Sequence, residues 1–149
     1  TFSACFGAAF LVWPPKKYAE MLAEKLRAHA AEAWLVNTGW SGGPYGIGKR
    51  MELKHTRSLI KAALTGALDR VEYQTHELFG IQMPMSCPGV PSGLLDPRTT
   101  WPDPEMYDHK ALFLAQSFLK NFEKYADVAD EETLAVAPEP NRVLAFRSH

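Results

Sequence analysis

The chain has too little of several things to support the commoner molecular roles. Only two of its 149 residues are cysteine, Cys5 and Cys87, and neither lies in a metal-type spacing. That excludes a disulfide framework and points to a reduced, cytosolic compartment. No charge of one sign dominates, since 16 basic residues face 17 acidic ones. There is thus no electrostatic case for nucleic acid or an anionic membrane as partner. No apolar run approaches the ~18 residues of a membrane span. The five histidines, His29, His55, His76, His109 and His149, are scattered without a paired ligand spacing, which argues against a metal site built within this stretch. Internal repeats and low-complexity segments are absent too.

What remains is enough for one domain with a sizeable core, at 46% apolar residues. The opening TFSACFGAAFLVW lacks the basic n-region and cleavage site of a secretory signal, and reads as the middle of a buried element cut from a longer protein. Pro14-Pro15 is placed to start a helix carrying Tyr18, Met21, Leu22, Leu26 and His29 on one stripe. Ala33–Val36 reads as a short buried strand feeding a glycine-rich loop. Arg50–Leu53 reads as a brief strand. Thr56 then serves as N-cap of a helix with Leu59, Ile60, Ala63 and Leu64 on one face and Gly66 as its stop. Val71–Pro84 is extended, with two irregular strands at most. The proline-dense stretch 85–104 reads as a surface excursion. Asp103-Pro104 is an N-cap and N1 proline opening the clearest helix, with Ala111, Leu114, Ala115, Phe118, Phe122 and Tyr125 facing one way. A short acidic piece, Asp130–Ala137, and a Pro-rich tail follow.

The segment from Asn37 to Thr56 carries the chemistry. It holds five of the ten glycines and then the Lys49-Arg50 pair. Glycine at that density lets the backbone bend sharply and approach a ligand. Gly43-Pro44-Tyr45-Gly46-Ile47-Gly48-Lys49-Arg50 comes within one residue of the P-loop pattern. The failing residue is Arg50, which cannot supply the hydroxyl that ligates magnesium. Met51-Glu52-Leu53 also separates the loop from any helix start, where a P-loop would run directly into one. On spacing alone, a glycine-rich connection with two exposed cations is favoured over a phosphate cradle. Cys5 reads as a buried, inert thiol rather than a reactive one. Trp34 and Trp40, which flank the loop, read as packing residues.

Several segments together resemble the ATP-dependent phosphoenolpyruvate carboxykinases: TFSACFGAAFL at 1–11, LVNTGWSGGPYGIGKRM at 35–51, KHTRSLIKAALTGAL at 54–68 and LDPRTTW at 95–101. The resemblance is collinear to about Ala126. It implies an α/β fold, the partial C-terminal, nucleotide-binding domain of that enzyme, with about three main helices and short strands. Residues 1–126 would form the domain portion, and 127–149 a C-terminal helix and variable tail. It further implies that Arg50 and Met51 border the adenine of ATP and that Thr56 contacts the same nucleotide. An arginine can lie over a purine by stacking and cation–π attraction, Met51 can give a deformable wall, and the Thr56 hydroxyl can face the nucleotide or cap the helix.

The full enzyme of this family converts oxaloacetate and ATP to phosphoenolpyruvate, ADP and carbon dioxide in gluconeogenesis. The resemblance places its phosphate loop, its ligands for a divalent metal (Mg or Mn) and its oxaloacetate-binding arginines outside this chain. The expected partners are ATP, oxaloacetate and the missing N-terminal part, and the isolated chain is expected to be inactive. An alternative is a non-catalytic interaction or complementation fragment, stable as a homo-oligomer or with its N-terminal partner. Ala9 and Trp13 depart from the family pattern and affect the path of residues 8–14 only.

Overall fold

A computed structural model describes residues 8–138. The expectations for Cys5 and for the tail beyond Pro138 therefore lie outside the described residues. After a single turn of 3-10 helix at Ala8–Phe10, helix α1 spans Pro15–Ala28. Pro15 occupies its first position, where the missing N–H costs nothing. The Tyr18 hydroxyl accepts the N–H groups of Val12 (3.1 Å) and Trp13 (3.3 Å), which fixes the entry to the helix. The exit is a Schellman closure in which the Ala31 N–H reaches the Leu26 carbonyl at 2.9 Å. Its left-handed residue is Ala30, at φ +47°, not the usual glycine. None of the helix is fully buried, and Met21 and Leu22 of its apolar stripe lie open.

Two antiparallel ribbons follow. Strand β1 (Trp40–Ser41) pairs with β2 (Lys49–Arg50), and β3 (Tyr73–Thr75) with β4 (Gln82–Pro84). Residues 33–36 form no strand, contrary to the expectation. A ladder needs a neighbour, and no described strand lies alongside them. Leu35 is 89% exposed, while Trp34 is half-buried against the Tyr73 ring.

Helix α2 spans Leu53–Leu64, with Glu52 at its N-cap position. The expected cap at Thr56 is therefore incorrect. The Glu52 carbonyl already accepts the N–H of His55 at 2.9 Å and of Thr56 at 3.3 Å, so the helix is under way before Thr56. The same shift corrects the strand read over Arg50–Leu53, which ends at Arg50. The buried face is His55, Thr56 and Ala62, with Leu59 and Ala63 beside them, and Leu64 is 82% exposed. Ile60 and Leu64, expected on the buried face, lie toward solvent instead. Gly66 stops the helix as expected, at φ +67°, with the Ala67 N–H bonded to the Ala62 carbonyl at 2.9 Å.

The proline-dense stretch 85–104 does run through short turns, including 3-10 turns at Ser92–Leu94 and Pro97–Thr100. It is not only a surface excursion, because Cys87 and Val90 join Ala62 and Leu68 in one of two small cores. Burial pushes the Cys87 thiol up, which keeps it protonated. Helix α3 (Pro104–Ala126) begins as expected, the Asp103 carboxylate accepting the Glu105 N–H at 2.8 Å. Ala111 and Ala115 bury against Leu78 in the second core, with Phe79 and Tyr107 packed beside it. Leu114 and Phe118, further round the expected stripe, stay partly open. A five-residue helix α4, Glu131–Ala135, is capped by Asp130.

Candidate functional site

The glycine-rich segment folds as a tight ribbon. The Asn37 carboxamide accepts the Gly39 N–H (2.9 Å) and donates to the Trp40 carbonyl (3.1 Å), a local turn that launches β1. Trp40 then faces Arg50 and Ser41 faces Lys49, and the Met51 N–H extends the ladder to the Gly39 carbonyl at 2.8 Å. Between the strands, the Pro44 carbonyl gathers the N–H groups of Ile47 (3.0 Å) and Gly48 (2.9 Å). Gly48 has no room for a side chain, since a Cβ would collide with the Gly43 carbonyl and sit 2.6 Å from that of Ser41. Gly42, at φ +77°, lies so close to the 97–100 turn that a Cβ would stand 2.8 Å from the Thr100 carbonyl oxygen. Two stretches far apart in sequence, 37–51 and 95–101, thus meet at backbone distance.

Their junction with the start of α2 encloses a cleft of about 420 Å³, walled by Arg50, Met51, Glu52, His55, Leu94 and Thr100 among others. Arg50 is exposed and makes no ion pair with a described residue. Glu52 pairs with Lys54 at 2.7 Å, and that hydrogen bond holds its carboxyl below the usual range. His55 is only 7% exposed, its Nδ1 3.3 Å from the Gly89 carbonyl. Gly89 is at φ +75° and packs on Ser58 of α2 so closely that a Cβ would lie 3.0 Å from the serine Oγ.

This geometry is not that of a phosphate loop. Lys49 and Arg50 sit in a strand, and α2 begins only at Leu53. The N-cap residue at the helix entrance, where the dipole would favour a phosphate, is itself acidic, Glu52. An exposed guanidinium, an apolar thioether and a buried imidazole around a cleft suit a flat, nitrogen-rich ring better than a polyanion.

Of the three residues singled out in the sequence, Arg50 and Met51 share this cleft. Thr56 is buried at 7% exposure in the first turn of α2 and is not among the cleft-lining residues. Sequence reasoning missed His55, Leu94 and Thr100. His55 is adjacent to Thr56, but its placement depends on Gly89, 34 positions away. Leu94 and Thr100 come from the stretch read as an excursion. Behind the cleft lies a second, larger cavity of about 910 Å³, lined by Trp34, Leu35, Tyr73 and Met83, and sharing Ser41, Met51 and Leu94 with the first.

Comparison with known proteins gives a consistent result. The sequence profile of the family described as phosphoenolpyruvate carboxykinase matches residues 1–93. The chain is 57% identical over 137 residues to phosphoenolpyruvate carboxykinase (ATP) of Flavobacterium johnsoniae, covering 92% of this chain and 26% of that protein. It is 56% identical over 131 residues to the protein of that name from Caldanaerobacter subterraneus subsp. tengcongensis, covering 88% of this chain and 25% of the relative. To that of Thermus thermophilus it is 54% identical over 138 residues, 93% of this chain and 26% of the relative. The chain thus spans about a quarter of the length of the curated relatives it matches.

Proposed function

The chain belongs to the phosphoenolpyruvate carboxykinase family, and on that premise we propose that it supplies the adenine-binding edge of an ATP site. The whole protein, on this reading, converts oxaloacetate and ATP to phosphoenolpyruvate, ADP and carbon dioxide, a gluconeogenic reaction of the cytoplasm. Residues 1–126 contribute to the nucleotide-binding domain, with 127–149 a closing helix and tail. The observation carrying the proposal is that Arg50 and Met51 wall one cleft, with the guanidinium unpaired among the described residues.

Arg50 offers its plane to the purine and Met51 a polarizable wall, while β1 and β2 fix both against the 97–100 turn. Thr56 acts by anchoring the first turn of α2, and contact between its hydroxyl and the nucleotide belongs to the same proposal. When bound, a divalent metal neutralises charge on the transferring phosphoryl group. The residues described here do not fit that ion, because no three His, Cys, Asp or Glu side chains among them converge. Phosphate, metal and oxaloacetate are held by other parts of the protein, and this stretch alone is inactive.

Arg50→Ala in the full-length protein tests the reading. The KM for ATP should rise about tenfold, as expected for loss of a cation–π contact with its desolvated partner, while the KM for oxaloacetate stays unchanged. An unaltered ATP dependence removes Arg50 from the site and the cleft from the nucleotide.

A second reading has its own support. Met21 and Leu22 on α1, Leu35, Leu64 on α2 and Phe113 on α3 are all exposed apolar side chains. Faces of this kind mark interaction surfaces, so the stretch also works as a docking fragment for its N-terminal partner or for a second copy. Mixing it with the complementary N-terminal part should restore ATP-dependent decarboxylation. Self-association without rescue would instead favour a purely structural role.

A further inference from the structure

Resting on the reading of the cleft as a base pocket, we propose that His55 is a specificity-determining residue. It selects a purine bearing an amine at position 6 over one bearing an oxygen there. The Gly89 carbonyl lies 3.3 Å from His55 Nδ1. A carbonyl oxygen can only accept, so in the neutral ring Nδ1 carries the proton and Nε2 is left as an acceptor. Nε2 makes no hydrogen bond to a described residue, yet no buried side-chain nitrogen or oxygen among the described residues is without a partner. The nitrogen is therefore not sealed in. The opening available to it is the cleft that His55 lines together with Arg50 and Met51.

The ring is also held in place. At 7% exposure in the first turn of α2, it is clamped from the Gly89 side by a turn whose backbone touches Ser58. An acceptor fixed in this way at the wall of a base pocket discriminates by hydrogen-bond polarity. The 6-amino group of adenine offers it an N–H, whereas the 6-oxo group of guanine or hypoxanthine sets one acceptor against another. A site built to receive a hydrogen bond rejects the ligand that cannot give one, because its own buried polar atom is left unpaired.

The test uses the full-length protein and three nucleotides differing only at position 6: ATP, purine riboside triphosphate, which has hydrogen there, and inosine triphosphate. The unaltered protein should show KM rising in that order, with a total span of at least about tenfold, the usual worth of one buried hydrogen bond lost and one acceptor pair opposed. His55→Phe, which keeps the ring volume, should collapse the span. His55→Gln, whose carbonyl can accept, should keep part of it. Ratios between nucleotides are internal to each preparation, so incomplete folding of a variant does not disturb them. Equal KM values for the three nucleotides on the unaltered protein overturn the proposal, as does an undiminished span in His55→Phe. Arg50→Ala separates the two ideas. If it weakens ATP use while His55→Phe leaves the span intact, the base pocket stands and the role of His55 falls. If Arg50→Ala leaves ATP use unchanged, both fall.

Discussion

His76 Nε2 lies 2.8 Å from the hydroxyl of Tyr107, while Nδ1 of the same ring receives the N–H groups of Leu78 (3.2 Å) and Phe79 (3.3 Å). The two backbone donors make Nδ1 an acceptor, so Nε2 carries the proton and gives it to the tyrosine oxygen. One neutral imidazole thereby orders the turn between β3 and β4 and ties it to the first turn of α3. Burial pulls the His76 pKa below its ordinary value, against the pull of Asp96 and Glu77, and pushes the Tyr107 hydroxyl up to about 12.

This pair predicts a pH profile. The unfolded chain binds a proton at histidine near pH ~6.5, and the folded chain only at lower pH. The His76 contribution is therefore whole above about 6.5 and is lost as pH falls toward the folded value. Tyr107 acts at the opposite end, its contribution fading as pH rises from about 10 toward about 12. Thermal melts between pH 8 and 5 should show the acid-side loss, and His76→Gln should flatten it. Tyr107→Phe should lower stability by about 1 kcal/mol at neutral pH.

Ala30 and Gly66 close two helices with the same left-handed backbone, at φ +47° and +67°. An alanine there costs about 1 kcal/mol that glycine avoids. Ala30→Gly should therefore raise the urea midpoint. Gly66→Ala should lower it through the strain of its positive φ, while the Asp69 carboxylate, 2.7 Å from where the Cβ would stand, can turn aside. A neutral result at both positions would show that neither closure limits stability.

Gly48→Ala should be severe. The added Cβ meets the backbone of both Gly43 and Ser41, so β1 and β2 must part or the loop between them must refold. Overpacking of this kind costs about 1–3 kcal/mol. Since Gly48 leads directly into β2, which carries Arg50, the KM of the full-length protein for ATP should, on the proposed reading, rise along with the loss of stability. Gly46→Ala, whose Cβ would meet nothing within 4 Å, is the control and carries only the strain of its φ of +90°.

Arg98 joins the 97–100 turn to α3 through both oxygens of Asp108, Nε to Oδ1 at 3.0 Å and Nη2 to Oδ2 at 3.1 Å. Arg98→Lys keeps the charge but loses the fork. A small loss of stability, about 0.5–1 kcal/mol, is expected for a pair whose arginine is half-exposed. Faster amide exchange across residues 97–101 should accompany it, and because that turn abuts Gly42, a modest rise in the KM for ATP.

Local signals in the sequence carried α1 and α3 almost to the residue, because Pro15 and Pro104 act through their own backbone and the Asp103 carboxylate caps the helix two residues on. They misled at α2, where Thr56 is the better cap by residue type but Glu52 stands where the chain leaves β2. Residues 33–36 have the composition of a strand without a described neighbour to pair with. Cys87 and Val90 were hidden among prolines, and their burial follows from α2 packing over them. Arg50 and Met51 were singled out by the family resemblance of the glycine segment, and both line the cleft. His55 was not, since nothing local announces a bond to a carbonyl 34 residues away.

Met51 stands between the cleft and the larger cavity, with Ser41 and Leu94 completing the partition. A thioether side chain with several rotamers is a soft party wall. Whatever fills the rear chamber determines how far that wall bulges into the front one. The fit of a ligand at the front is thereby tunable from behind, by substitutions that never touch it. Chains sharing every front-facing residue could still differ in how tightly they grip the same ligand.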